Sequence, residues 1–146
     1  MAKKKINNKP EIINSNTGES WVYSDVVKEH FFNPRNFLIE DPKEGKFDVT
    51  GEVGSPACGD VMRMWANIDK ESGIIKELKW KTFGCATAIA STSMFSVMVT
   101  GKKIEDALKI KPQDIVEKLG GLPDRKIHCS VLADHAFKVL ISKYYG

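Results

Sequence analysis

The spacing of apolar residues changes period along the chain, and each change marks a change of element. Residues 1–20 carry scattered Ile among Lys, Asn and Ser with little periodicity, which predicts a flexible N-terminal arm. Order is expected to begin near Trp21. Ser24 is placed to cap a helix whose apolar face is Val26, Val27, His30 and Phe31. Asn33-Pro34 ends it, because the residue before proline is pushed out of the helical region. From Phe47 the period becomes two. Phe47, Val49 and Gly51 alternate with polar residues, Gly54–Gly59 interrupt, and Met62, Met64, Ala66 and Ile68 alternate with Arg63, Trp65 and Asn67. Lys70–Gly73 reads as a hairpin turn before Ile74, Lys76, Leu78 and Trp80.

From Ala86 the spacing is helical, with Ile89, Ser93 or Met94, Val97 and Met98 on one face and Gly101 closing the helix. A short helix over Lys103–Lys109, another over Gln113–Leu119 with Pro112 near its first turn, and a long amphipathic helix from Ile127 nearly to Gly146 follow. Strands followed by helices predict an α+β domain over residues 21–146: a three-stranded antiparallel sheet with helices packed on one face.

Composition narrows the function classes. With 42% hydrophobic and 28% charged residues over 146 positions, the chain can build a core without disulfide staples. No run nears the roughly 20 apolar residues of a bilayer span, and Met-Ala-Lys-Lys-Lys leads into no apolar signal segment; the expected compartment is cytoplasmic, with no membrane partner. The net charge of +3 sits mostly in the arm, which holds four Lys against two Glu. The nearly neutral body offers no field for nucleic acid, and the Lys cluster reads as a solubilising end.

Three cysteines, Cys58, Cys85 and Cys129, are an odd number separated by 27 and 44 residues, so neither a disulfide framework nor a local knuckle is expected. Buried structural thiols, a reactive thiol and a metal site remain. Each Cys lies at a break between elements: Cys58 in Gly54-Ser-Pro-Ala-Cys-Gly-Asp60, Cys85 after Phe83-Gly84 at a strand-to-helix switch, Cys129 where the last helix begins. A helix N-terminus favours the thiolate. Asp60 and His128 stand beside two of these thiols, so three thiolates with one of them could surround zinc or a [2Fe–2S] cluster. Replacing a fourth Cys by carboxylate or imidazole should loosen the grip, which suits delivery of a cluster better than electron transfer.

Four segments carry a resemblance: Tyr23-Ser-Asp with His30-Phe-Phe-Asn-Pro-Arg-Asn36, Gly54-Ser-Pro-Ala-Cys-Gly-Asp-Val-Met62, Lys81-Thr-Phe-Gly-Cys-Ala-Thr-Ala-Ile-Ala-Ser91, and Lys126-Ile-His-Cys-Ser-Val-Leu-Ala133. In order and spacing over residues 21–146 they resemble the IscU-type iron–sulfur cluster assembly scaffolds, also seen as the N-terminal domain of NifU. The resemblance implies a non-enzymatic scaffold with a site of Cys58, Asp60, Cys85, His128 and Cys129. Such proteins accept persulfide sulfur from a cysteine desulfurase and iron from an iron donor, build a labile [2Fe–2S] cluster, and pass it to recipient apoproteins or carrier proteins. It further implies Cys129 as persulfide acceptor, Asp60 as a determinant of cluster lability, and a link between the tyrosine matching Tyr23 and formation of a homodimer; zinc stays a candidate occupant of the isolated protein.

The sequence departs from the family at Leu122-Pro-Asp-Arg-Lys126, where two opposite charges replace a Pro and a Val; this argues against recognition by an Hsp70-type chaperone. Ala86 stands where glycine is common, the leader before Trp21 is longer than usual, and nothing after Gly146 supplies the further cluster domains of full-length NifU. A zinc-dependent sulfurtransferase of the SufU kind is the alternative. The 44-residue interval and His128 argue against it. A closed structural zinc domain would use short paired spacings, and adjacent His128 and Cys129 diverge too far to act as base and nucleophile. His135 reads as structural, His30 as helix packing or capping, the Met62/Met64 and Met94/Met98 pairs as core, and Trp21, Trp65 and Trp80 as packing. Lys81, Arg125 and Lys126 flank the site, as solvated charges or as attractors of an acidic partner.

Overall fold

A computed structural model describes residues 12–13, 20–21, 24–55, 60–83, 85–122 and 128–146; for Ile12, Ile13, Ser20, Trp21, Ser55, Asp60, His128 and Cys129 only the backbone is described. Within the stretch read as an arm, the two-residue strands β1 (Ile12–Ile13) and β2 (Ser20–Trp21) pair antiparallel. The helix α1 spans Asp25–Phe32, and the Ser24 side chain accepts from the Val27 N–H at 3.1 Å, as an N-cap should. The same hydroxyl donates to the Leu119 carbonyl. Asn33 ends the helix. Val26 is exposed and Lys28 is 9% exposed, so Val26 leaves the expected apolar face and the Lys28 stem enters it.

The sheet is β3 (Val49–Ser55), β4 (Asp60–Ile68) and β5 (Ile75–Phe83), antiparallel throughout and in that order. Met62, Met64, Ala66 and Ile68 form one buried row, facing the helices, as the alternation requires. β5 departs from simple alternation. A register shift between Asn67 and Ile68 leaves Lys76 without an opposite residue, so Ile75 rather than Ile74 joins Leu78 and Trp80 in the core. Residues 36–38 run along the outer edge of β5: Leu38 N–H donates to Trp80 O, and Trp80 N–H to Asn36 O. That pairing covers an edge that would otherwise be open.

The remaining helices are α2 (Ala86–Val99), α3 (Ile104–Ala107), α4 (Pro112–Lys118) and α5 (His128–Tyr145). α2 has no single apolar stripe. Thr87, Ala88, Ala90–Ser96 and Val99 are buried and Ile89 and Met98 pack partly buried against the core, while Val97 is exposed and so leaves the expected face. A helix buried nearly all round packs on several neighbours at once: α1, α5, α4 and β5 all touch it. Its small hydroxyl residues suit that position, since Thr92 Oγ1 and Ser96 Oγ return their protons to carbonyls of their own helix. α5 lies on β3 and β4. A Cβ on Gly51 would stand 2.6 Å from Leu140 N and 2.8 Å from its Cα, so glycine alone admits the helix backbone here.

Candidate functional site

Three chain breaks meet at one end of the sheet. Ser55 and Asp60 are register partners, so Cys58 lies in a connection whose two ends are adjacent; residues 56–59, Cys58 among them, lie outside the described residues. On the other side of β4, Val61 pairs with Phe83, and Thr82 Oγ1 donates to Val61 O at 2.6 Å. The last residue of β5 is thus beside the first residues of β4. Two residues later Cys85 is the N-cap of α2, with extended backbone (φ −78°, ψ 173°) and a partly exposed, non-disulfide thiol. The cap makes no side-chain hydrogen bond to its helix, and no acidic residue lies in the first turn. The fourteen-residue helix therefore presents its positive end to the thiol, which favours the thiolate.

The third break is the start of α5. Its far end lies at the opposite edge of the sheet: Tyr145 borders the turn residues Lys70–Gly73, and Lys143 borders Phe47–Thr50. Leu140 crosses β3 at Gly51. From Leu140 back to His128 is twelve residues, about 18 Å of helix, and from Gly51 to Ser55 is about 13 Å of strand. Helix and strand run to the same end. His128 and Cys129 open α5 there, although their side chains, like that of Asp60, are outside the described residues. Among the described residues no three His, Cys, Asp or Glu side chains gather around one point; of the five expected ligands only the Cys85 side chain is among them. Arg125 and Lys126 also lie outside the described residues.

Lys81 is not a bare solvated charge. Its Nζ donates to Asp41 at 3.1 Å and lies 5.5 Å from the centre of the exposed Phe83 ring. Asp41 also accepts from Arg63 at 2.7 Å, and Arg63 donates to Glu52 at 3.0 Å. Glu52, Arg63 and Lys81 are charged residues on the polar rows of adjacent strands, in register with one another, and that common face was the available sign of a cross-strand network.

His30 packs as expected. Its Nδ1 shares a 2.7 Å hydrogen bond with Ser93 Oγ, which also accepts from the Arg35 N–H at 2.8 Å. Burial, reinforced by the Arg35 charge and only partly opposed by Glu29, lowers its pKa from the ordinary 6.5. It joins α1 to α2 and belongs to the core. Among the described helices none is long and apolar enough to cross a membrane.

The chain's relatives agree with this architecture. A family model described as NifU-like N terminal domain matches residues 22–146. The chain is 48% identical over 126 residues to the mitochondrial iron sulfur cluster assembly protein 1 of Debaryomyces hansenii, covering 84% of this chain and 68% of that one. It is 47% identical over 122 residues to the iron-sulfur cluster assembly scaffold protein IscU of Haemophilus influenzae, covering 84% and 94%. Against the nitrogen fixation protein NifU of Trichormus azollae it is 44% identical over 128 residues, covering 86% of this chain but 43% of that longer protein. Among solved structures, the N-terminal part of a NifU-like protein from Brucella abortus shares the fold at a TM-score of 0.62 and 16% identity, covering 84% of this chain and 93% of that one. A putative SUF-system scaffold from Fervidobacterium islandicum does so at 0.59 and 17%, covering 82% and 96%. A match over 125 of 146 residues, with 47% identity to a relative covered over 94% of its own length, settles the assignment: this chain belongs to the NifU-like N-terminal domain family.

Proposed function

We propose that the protein is a scaffold for assembly of a labile [2Fe–2S] cluster, which it builds as cargo and hands to recipient apoproteins or carrier proteins in the cytoplasm. The observation that supports this most is the meeting of the β4 start, the Cys85 cap and the α5 start at one end of the sheet, in a family whose members carry scaffold names. In this reading Cys58, Cys85 and Cys129 supply thiolates, and Asp60 or His128 completes the set. Two helix N-termini, neither with an acidic residue in its first turn, favour the deprotonated thiols that metal binding needs.

Sulfur arrives from a cysteine desulfurase. The Cys129 thiolate attacks the terminal sulfur of the donor persulfide, a new S–S bond forms on Cys129, and the donor cysteine leaves as thiolate. Each transferred sulfur then needs two electrons from an outside reductant to become sulfide, while iron comes from an iron donor. The protein undergoes one loading per delivery and is not a turnover enzyme. Asp60, an oxygen donor among thiolates, keeps the cluster transferable; zinc suits the same tetrahedral donor set when no cluster is present. A homodimer is one state in which two chains could share a cluster. The altered Leu122–Lys126 segment counts against engagement of a dedicated Hsp70-type chaperone. The SufU-kind sulfurtransferase gains no support beyond shared fold.

Anaerobic incubation with a cysteine desulfurase, cysteine, ferrous iron and a thiol reductant tests the reading. The scaffold turns brown with sulfide-to-iron charge-transfer bands, and Asp60→Ala lengthens the lifetime of those bands. A colourless protein that holds one zinc and speeds the desulfurase would instead establish sulfurtransfer.

A further inference from the structure

The outer face of the sheet carries a charge ladder close to the site. Glu52, Arg63 and Lys81 are consecutive register partners across β3, β4 and β5. Arg63 and Lys81 are like charges directly opposite each other, an arrangement that destabilises a sheet. Asp41 resolves it by accepting from both, Arg63 at 2.7 Å and Lys81 at 3.1 Å, while Glu52 takes the second Arg63 nitrogen at 3.0 Å. Asp41 is brought there by a fixed route: residues 36–38 are hydrogen-bonded along β5 at Trp80, and Trp80 Nε1 donates to Arg35 O.

The rung lies three residues after Asp60 and four before Cys85. Beyond it toward the site, the outer face holds the Val61–Phe83 pair, and Phe83 is 65% exposed, so little apolar packing fastens the strand ends there. The charge ladder is the outer-face fastening nearest the site among the described residues. We propose that Asp41 is a positioning residue: by clasping Arg63 and Lys81 it holds the ends of β4 and β5 at the separation that metal binding by the site requires. This rests on the scaffold reading of the site.

Anaerobic cobalt(II) titration of the full chain against a competing chelator tests it. Wild type should show thiolate-to-cobalt charge transfer and tetrahedral d–d bands. Asp41→Asn should weaken cobalt binding by about fivefold, the cost of one unrelieved like-charge rung, and alter the d–d bands, with far-ultraviolet circular dichroism unchanged. Asp41→Glu should restore most of the affinity. Adding Lys81→Met to Asp41→Asn should restore it too, since the repulsion is then gone. If Asp41→Asn fails to fold, salt makes the same test: wild-type affinity should fall as salt screens the clasp, and fall less in the Lys81→Met variant. An Asp41→Asn protein that binds cobalt like wild type, or a double variant no better than the single, would overturn the positioning role alone. A wild type without thiolate bands would overturn the scaffold reading as well.

Discussion

The two ends of the sheet are built differently. At the far end, the β4–β5 hairpin is fastened by short-range and long-range bonds together: Gly73 N–H donates to Asp69 O, Ser72 Oγ to Asp69 at 2.5 Å, and Ile104 N–H to Gly73 O. Ile75 and Gly101 tie the same turn to the segment after α2. At the site end, the described bonds include the Thr82–Val61 contact and the charge ladder, Phe83 is exposed, and Cys85 caps α2 with no side-chain bond to the first turn. The turn end is closed by bonds both within the hairpin and to a distant segment, whereas the described outer face at the site end relies on one charge ladder.

The sharpest way to break this division is a change that spans both ends. Gly51→Ala sets a methyl group into the Leu140 backbone, so α5 must move off β3. Urea unfolding should show a loss of about 3 kcal/mol, and metal loading should fall with it because the start of α5 shifts. Gly73→Ala should separate the two ends. Gly73 has φ +75° with open space at its Cβ, so the cost is backbone strain of about 1–2 kcal/mol in unfolding, with metal affinity unchanged. Cys85→Ser should do the reverse. It should change unfolding free energy by less than about 0.5 kcal/mol, as partly exposed sites do, and abolish cluster loading in the anaerobic assay.

The smallest effect is on pH dependence. His30 titrates below 6.5 in the fold, so the unfolded chain takes up the proton first and stability is lost as pH falls through 6.5. The urea midpoint should decline from pH 7.5 to 5.5, and His30→Asn should flatten that slope.

Much of this was legible in the residue pattern and some was not, for physical reasons. Period two exposed the inward row Met62–Ile68 because one face of an antiparallel sheet is packed and the other polar. The same period misassigned Ile74, since a bulge inserts one residue and flips the faces beyond it. α2 resisted a face assignment because small residues such as Ala90, Ser91 and Thr92 are buried without being strongly apolar. The Lys28–Val26 exchange was hidden for a related reason: a long aliphatic stem can be buried under a charge that reads as exposed. For the candidate site, the glycine- and cysteine-bearing breaks were visible as motifs, and topology brought their elements to one end of the sheet. Asp41 was not visible, because its partners lie 22 and 40 residues away and ion pairs leave no periodic trace.

The claim that three distant cysteines serve a single ion is tested most directly by X-ray absorption on the zinc-loaded protein. The predicted first shell has three sulfurs near ~2.3 Å and one oxygen or nitrogen near ~2.0–2.1 Å, with one sulfur lost in Cys85→Ser. A shell of oxygen and nitrogen alone, or one indifferent to Cys85→Ser, would contradict it.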